Sequence, residues 1–416
     1  MNDGFSLLIL LILLLLLDLY VYRMVRDYTK DSPAKLAVRA TYWLITALMI
    51  LGTWKVDYVF LHINVSWLRK ALLILMTGNP IIKIILAIYQ LVADLWNWFF
   101  KGKDADPVVD DPATSMNKTK QMSRKKFLIK SAVAVASLPV VVKGFNIINR
   151  AYDYRLRRKQ VFLPNLPAAF DGVTIGQISD IHSGSFFNRT AVQGGVDMLM
   201  AEKPDMIFFT GDLVNSSAKE VDEYFSIFRQ VKAPLGVHSI LGNHDYGDYQ
   251  MWPSMKAKQQ NFNDLLKAHE ELGWDLMRNE QRMLKVDREQ IALIGVENWG
   301  AGRFAKYGDL KQAYQGTDEA PVKLLLSHDP SHWEAEVLPN FQDIDMTFSG
   351  HTHGFQFGIE IGNFQWSPSQ YLYRQWAGLY QTDDQYIYVN RGYGFIGLPG
   401  RVGISPEVTL IELKKA

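Results

Sequence analysis

The most constraining feature of the sequence is an almost unbroken run of leucine and isoleucine at residues 5–22, interrupted by Asp18. A helix needs about 20 apolar residues to cross the hydrocarbon core of a bilayer, so this run predicts a transmembrane helix. A cleaved signal peptide is the alternative. It is disfavoured because no basic region precedes the run and no small-residue cleavage site follows it.

Three more apolar stretches follow, at residues 40–54, 72–100 and 127–142, and the second of these is broken near Pro80. The four apolar stretches therefore predict a membrane region of about four helices at residues 1–146, with a polar linker at residues 101–123. Residues 160–416 have a mixed composition and are numerous enough to bury a core of their own, which predicts a separate globular domain.

The basic residues between the apolar runs predict the topology. The loops after the first run and before the fourth are rich in Lys and Arg, which favours the cytoplasmic side for both and the opposite side for the C-terminal domain. A second basic cluster, at residues 155–159, argues for the reverse orientation. Residues 123–128 resemble a twin-arginine export signal with Lys125 in place of the second arginine, and a simple basic flank is the alternative.

Charge and cysteine content exclude several classes of function. The formal net charge is +1, so the chain lacks the basic excess typical of nucleic-acid binding, and we expect no nucleic-acid partner. The sequence contains no cysteine, which excludes disulfides, thiolate metal sites and cysteine nucleophiles. Any bound metal must therefore be held by His, carboxylate or amide groups.

After residue 172, short apolar segments alternate with amphipathic stretches, which predicts an α/β layered fold. The predicted helices include residues 191–202 and 220–231. The predicted strands are residues 173–178, 206–209, 237–241, 291–296, 322–326, 346–348 and 386–389.

Five of the predicted strands end at side chains that can bind metal. Such strand ends are where sites form in open α/β sheets. The pairs spaced i and i+2 point to one side of an extended chain, so both members can reach one site. The set contains no sulfur and suits Mn, Fe, Zn or Co. The residues are Asp180 and His182, Asp212, Asn243 with His244 and Asp245, His328, and His351 with His353.

Each motif alone is weak, because a Gly-Asp turn is common and a buried histidine is more often a hydrogen-bonded core residue. The ordered series DxH, GD, GNHD, H and GHTH resembles the calcineurin-like metallophosphoesterase superfamily over about residues 172–416. With the membrane region and the segment from Arg391 to Glu407, it is similar to the bacterial membrane-associated branch. The resemblance implies a four-layer α-β-β-α sandwich with two mixed sheets in a protein of the bacterial cell membrane. The apolar runs and the basic loops, for their part, predict a multi-pass protein with its catalytic domain on the extracytoplasmic face.

The resemblance also implies a role for each ligand. One divalent ion would be bound by Asp180, His182 and His353. The other would be bound by Asn243, His328 and His351. Asp212 would bridge the two ions, while His244 would act as general acid or phosphate stabiliser with Asp245 orienting it.

The implied reaction is hydrolysis of a phosphate ester or pyrophosphate by a metal-activated hydroxide. The alternative is a membrane-bound binding or sensor protein with the same fold and little turnover. Aromatic residues crowd the last third of the chain. Core packing is the favoured explanation, and an apolar lip that accepts a lipid head group is the other. The segment at residues 392–397 fits GxGxxG, but Pro399 and Gly400 forbid the helix that a dinucleotide site requires, so we interpret it as a loop.

Overall fold

The computed structural model describes residues 3–30, 32–54, short stretches between 79 and 95, and residues 150–302, 304–362, 364–397 and 400–416. The chain divides into two compact units, residues 1–140 and 141–416.

The described part of the N-terminal unit is helical. Helix α1 spans Asp3–Tyr28 and helix α2 spans Lys35–Trp54, in agreement with the first two predicted apolar helices. Within the described residues, the segment Lys35–Thr53 has the length and hydropathy that a membrane span requires. The described stretches between 79 and 95 are also helical. The predicted linker at 101–123 and the predicted run at 127–142 lie outside the described residues.

Asp18, the one charge inside the leucine run, is fully buried between helices. Tyr42 and Thr46 of α2 donate hydrogen bonds to its Oδ1 atom over 2.9 and 2.8 Å. The ammonium group of Lys83 forms an ion pair with the same oxygen and donates to Thr46 Oγ1 over 3.1 Å. A carboxylate in an apolar helix is costly unless it is paired, and these three groups supply the partners.

The C-terminal unit contains two six-stranded mixed sheets and a two-stranded hairpin among its described residues. The strands are β1 Arg155–Leu163, β2 Thr174–Ile178, β3 Met206–Phe209, β4 Val237–Ser239, β5 Asp275–Leu276, β6 Glu280–Val286, β7 Glu289–Gly295, β8 Lys323–Leu326, β9 Met346–Ser349, β10 Ile359–Ile361, β11 Phe364–Trp366, β12 Gly378–Thr382, β13 Gln385–Val389 and β14 Glu407–Lys415. The first sheet has the order β1-β14-β2-β3-β4-β5, and the second has the order β12-β13-β9-β8-β7-β6.

The two sheets pack face to face over an apolar core that includes Ile175, Phe208, Leu324 and Phe348. Helices cover both outer faces, so the central strands are buried on both sides, which explains their continuous apolar sequences. The helices of the first face are α3 Arg189–Ala201, α4 Phe225–Phe228 and α5 Met255–Leu272. Those of the second face are α6 Leu310–Tyr314, the π-helical turn Trp333–Val337 and α7 Leu338–Asn340. The predicted four-layer sandwich is confirmed.

The structure differs from the prediction in two places. All seven predicted strands form, but the predicted helix at 220–231 is wrong: a 3₁₀ turn at Ala218–Val221 and the short α4 replace it. The basic cluster at 155–159 lies in β1, which begins at Arg155, ahead of the predicted domain start at 160. Charged residues are typical of edge strands such as β1. The described residues of the GxGxxG segment form a loop, as expected.

Candidate metal centre

The predicted ligands come together at one end of the sandwich. Strands β2, β3 and β4 lie side by side and parallel in the first sheet, and β8 and β9 do the same in the second. Each of these five strands ends just before a predicted ligand. The carboxyl ends of both sheets therefore deliver all seven predicted ligands to one place, where most of them are buried.

The backbone at this edge is strained. Asp180, His182, Asp212, His351 and His353 all have positive φ, between 49° and 71°. A non-glycine residue in this left-handed region costs about 1–3 kcal/mol and persists only where the surroundings hold it. Such concentration at five predicted ligands is typical of a functional site rather than of ordinary turns.

One triad consists of Asp180, His182 and His353, whose candidate ligand atoms all lie within 4.8 Å of one another. The Nε2 atoms of His182 and His353 are 3.0 Å apart, and Oδ1 of Asp180 is 3.3 Å from Nε2 of His353. The guanidinium of Arg401 donates to the carbonyl of Gly392 over 3.0 Å and lies 3.2 Å from Nδ1 of His353. This buried arginine therefore holds the loop beside the triad.

The second triad consists of Asp212, His328 and His351, again within 4.8 Å. His328 Nδ1 lies 2.7 Å from the carbonyl oxygen of Thr210, which can only accept a hydrogen bond, so Nδ1 carries a proton and Nε2 is the nitrogen that would bind a cation. Nδ1 of His351 is 2.9 Å from Oδ1 of Asn243. The predicted partner Asn243 therefore lies at this triad.

Outer contacts fix the orientation of His351 and Asn243. Tyr373 Oη is 2.8 Å from Nε2 of His351, which leaves Nδ1 facing Asn243. The Asn243 amide nitrogen donates to Tyr249 Oη over 2.9 Å, so its oxygen faces the centre. Such second contacts hold the ligating atoms in place before an ion binds.

Asp212, a member of the second triad, also reaches the first. Its Oδ2 atom is 3.5 Å from Nε2 of His182 in one triad and 3.1 Å from Nε2 of His328 in the other. Its Oδ1 atom accepts the backbone N–H of His244 over 2.8 Å. A carboxylate oxygen that lies close to a histidine of each triad is in the position that a bridging ligand requires.

The protonation states suit cation binding. Burial lowers the pKa of His182 to about 3 and that of His351 to about 4, and it lowers the pKa of His353 well below its usual range. Burial opposes ionisation of Asp212, but the facing His328 and His244 hold its pKa well below the ordinary value. Neutral imidazoles around an ionised carboxylate are the forms that bind a divalent ion.

Burial also opposes protonation of His328, yet the facing Asp212 raises its pKa to about 10. A cation at this place would replace a proton shared by this pair, so metal binding would deprotonate His328. The donor set of imidazole, carboxylate and amide groups, turned inward by outer hydrogen bonds, fits a pair of divalent ions.

Two glycines make this close approach possible. A Cβ atom at Gly242 would lie 2.3 Å from Oδ1 of Asp212, and one at Gly350 would lie 2.2 Å from Oδ2 of Asp180. Either contact is far inside van der Waals distance, so a side chain at these positions would displace a ligand.

The predicted role of Asp245 needs a correction. Its carboxylate accepts the backbone N–H groups of Gly242, Asp212 and Leu213 over 2.8–2.9 Å, and so it ties the β3 and β4 loops together. The ring of His244 is oriented instead by the carbonyl of Asn215, which lies 2.8 Å from Nδ1. A buried carboxylate is stabilised better by several amides than by one ring, which explains the difference.

A cleft of about 550 Å³ opens onto the ligands, and His244 lies in its wall. Sequence reasoning missed Asn215 and Tyr249, whose ring centroid is 4.3 Å from that of His244. Neither belongs to a strand-end motif, so only the folded loops reveal them. The apolar lining of the cleft consists of Phe304, Phe355, Leu372, Tyr373 and Ile396.

Two family models match the chain. Residues 173–355 match the model "Calcineurin-like phosphoesterase", and residues 4–149 match "Probable Calcineurin-like phosphoesterase, transmembrane domain". The first match lies within the sandwich, whose strands extend from Arg155 to Lys415, and the second covers the apolar N-terminal region.

Several curated proteins are similar over about 70% of the chain. A "Transmembrane protein with metallophosphoesterase domain" from Danio rerio is 28% identical over 69% of this chain, which spans 63% of that protein's length. The "Uncharacterized metallophosphoesterase YkuE" of Bacillus subtilis is 28% identical over 71% of this chain and 99% of its own. "Phosphodiesterase YaeI" of Escherichia coli is 26% identical over 70% of this chain and 99% of its own.

The ligand geometry, the sandwich and both family matches agree with one another. The chain contains a calcineurin-like phosphoesterase domain, matched at residues 173–355, and a transmembrane phosphoesterase domain, matched at residues 4–149.

Proposed function

We propose that the protein hydrolyses a phosphate ester or pyrophosphate with a pair of divalent ions bound at this centre. The observation that carries the proposal is the position of Asp212 Oδ2, within 3.5 Å of a histidine nitrogen from each triad. A single bridging carboxylate between two complete ligand sets is what two-metal hydrolases use to hold their ions.

Asp180, His182 and His353 would hold one ion, Asn243, His328 and His351 the other, and Asp212 both. Bound there, the ions (Mn, Fe, Zn or Co) would supply charge stabilisation for a phosphoryl group and acidify water. The chain's own contribution is to present neutral nitrogens and to keep apolar side chains around the opening, which limits competition from bulk water.

His244 is the residue that we assign to proton transfer. Because Nδ1 donates to the carbonyl of Asn215, the other nitrogen, Nε2, is the one available to substrate. An imidazolium there can donate to the leaving oxygen or stabilise the charge that develops on phosphate. Asp245 supports this indirectly, by fixing the loop from which His244 projects.

We further propose that residues 1–146 form a multi-pass anchor and that the catalytic domain lies on the extracytoplasmic face of a bacterial membrane. The two basic loops of the anchor support this orientation. A reporter that is active only in the cytosol, fused after Ala416, should be silent. An active reporter would reverse the orientation.

The substrate class that we favour is a phosphate at a lipid head group. Tethering raises the effective concentration of membrane-resident substrates but not of soluble ones. The apolar lining around the ligands, including Leu372 and Ile396, supports the same class. The E. coli relative carries the name phosphodiesterase, which supports a diester as the first bond to test.

The test uses full-length protein in detergent, loaded with Mn²⁺ or Zn²⁺. We expect metal-dependent cleavage of a soluble aryl phosphodiester, and a higher kcat/KM on a phospholipid in mixed micelles than on its soluble head-group analogue. The Asp212→Ala variant is the negative control. Metal-loaded protein that cleaves none of these substrates would leave the binding or sensor protein as the better explanation.

A further inference from the structure

One face of the β10–β11 hairpin is apolar and exposed. Ile359 pairs with Trp366, and Ile361 pairs with Phe364, so all four side chains lie on the same face. Ile361 is 72% exposed and Phe364 is 60% exposed. A two-stranded hairpin with its apolar residues turned outward is unstable in water unless something covers that face.

The opposite face of the hairpin is polar and tied to the domain. Arg157 of β1 donates to Glu360 Oε2 over 2.7 Å, and buried Arg391 donates to Gln365 Oε1 over 3.1 Å. These contacts fix which face points outward, so the exposure of Ile361 and Phe364 is built into the fold.

The apolar surface continues from the hairpin to the mouth of the catalytic cleft. The rings of Phe357 and Trp366 lie edge to face with centroids 6.4 Å apart, and Trp366 Nε1 donates to Tyr371 Oη over 3.4 Å. Leu372, the next residue, lines the cleft and is 72% exposed. A substrate with an apolar tail could therefore lie on this surface with its polar end at the predicted metal-binding residues.

A basic cleft of about 420 Å³ adjoins the hairpin. It is lined by four arginines, Arg150, Arg155, Arg157 and Arg401, and by two acids, Asp153 and Glu360. Each acid is already paired, Asp153 with Arg155 over 2.8 Å and Glu360 with Arg157 over 2.7 Å. The cleft therefore retains a positive balance next to an apolar surface.

Chain connectivity shows which partner fits these two surfaces. The match to the transmembrane domain ends at residue 149, and Arg150 is the next residue. In the anchor proposed above, the last apolar run ends at residue 142, and eight residues span at most about 28 Å, which would keep Arg150 close to the membrane surface. Apolar side chains flanked by arginine are the combination that binds the interface of an anionic bilayer.

We propose that the β10–β11 hairpin inserts Ile361 and Phe364 into the interface of an anionic bilayer, while the adjoining arginine cleft binds lipid phosphate groups. Docking in this way would bring the mouth of the catalytic cleft to the lipid head groups. Only the purpose of this docking rests on the proposed function, because binding of the surface to a membrane does not require turnover.

The absence of cysteine permits a direct test with the full-length protein. Ile361→Cys and Phe364→Cys, labelled with an environment-sensitive dye, are placed in nanodiscs that contain phosphatidylglycerol and nitroxide-labelled lipid. The matched control is Phe162→Cys, since Phe162 is 49% exposed and lies near the far end of β1. We expect blue-shifted, quenched emission at 361 and 364 and aqueous emission at 162. Aqueous emission at all three positions would overturn the proposal.

A second arm tests the role of charge. The double variant Arg150→Glu, Arg155→Glu should lower the quenching at position 361 at least twofold. Labelled protein that retains both arginines should show the same decrease in discs made of phosphatidylcholine alone. Quenching that is indifferent to both changes would overturn the arginine part of the proposal.

Turnover of a soluble phosphodiester by the same labelled proteins separates the two hypotheses. Cleavage without a dye response would contradict docking and leave the hydrolase proposal standing. A dye response without cleavage would contradict the hydrolase proposal and leave docking standing.

Discussion

The Nε2 atoms of His182 and His353 face each other across 3.0 Å. Two imidazole nitrogens at this distance share either a proton or a cation. Burial lowers the pKa of both rings, which disfavours the shared proton, and Asp212 and Asp180 supply negative charge within 3.5 Å. The pair is thus arranged for a cation.

The first prediction concerns the bridging carboxylate. Asp212→Ala removes the oxygen that lies within reach of both triads, so bound metal and activity should be lost together. Elemental analysis of the purified variant measures the loss, and circular dichroism checks that it has folded. Two ions still bound to a folded variant would show that Asp212 does not bridge.

The second prediction concerns His244. His244→Ala should retain both ions, because the ring lies in the cleft wall and its Nδ1 is bonded to Asn215 rather than to the ligand set. Turnover should fall by about 10²–10⁴-fold, the usual contribution of a general acid. The matched control is the neighbouring Asn243→Ala, which should lose metal. If His244→Ala loses metal as well, His244 is a ligand and not an acid.

How far the sequence predicts this site depends on where each residue lies. Ligands such as Asp180 and His328 follow buried strands, and parallel strands end at a common edge, so their convergence follows from the pattern. Asn215 and Tyr249 lie in loops without a periodic signal, and their contacts arise only when the loops pack. The family resemblance implies that Asp245 orients His244, but the backbone amides that bind its carboxylate instead are not visible in the sequence.

How far the sequence predicts a strand also depends on where the strand lies in the fold. Central strands such as β3 are buried on both faces and are predicted from continuous apolar residues. The edge strand β1 carries Arg157 and Arg158, so its composition suggested a membrane flank rather than a strand. The β10–β11 hairpin escaped prediction because its exposed face and its short strands carry a weak pattern.

The third prediction concerns pH and stability. His269 of α5 is fully buried, contacts Ser239 Oγ over 3.1 Å, and has its pKa lowered by burial to about 3. In the unfolded chain the imidazole of His269 binds a proton below about pH 6.5, whereas in the folded chain it stays neutral at that pH. The unfolded state therefore gains protons as pH falls from 6.5 towards 3, and stability should fall by up to about 1.4 kcal/mol per pH unit.

His269→Gln keeps a polar partner for Ser239 and removes the titration. Between pH 7 and pH 5 the wild type should lose about 2 kcal/mol of unfolding free energy relative to this variant. Urea unfolding followed by tryptophan fluorescence measures it. The exposed Lys267→Gln on the same helix is the control and should run parallel to wild type. Equal pH dependence of wild type and His269→Gln would contradict the prediction.

The last prediction concerns the buried ion pair in the N-terminal unit. Lys83 pairs with Asp18, and Thr46 donates to the same carboxylate oxygen. Removing one member of a buried pair leaves an uncompensated charge and costs about 3–5 kcal/mol, whereas replacing both with apolar residues is often neutral. Lys83→Met alone should therefore lower the unfolding temperature in bicelles, and the double change Asp18→Leu, Lys83→Met should restore most of it. A double variant as unstable as the sum of its two single changes would show that the residues do not interact in the membrane-embedded protein.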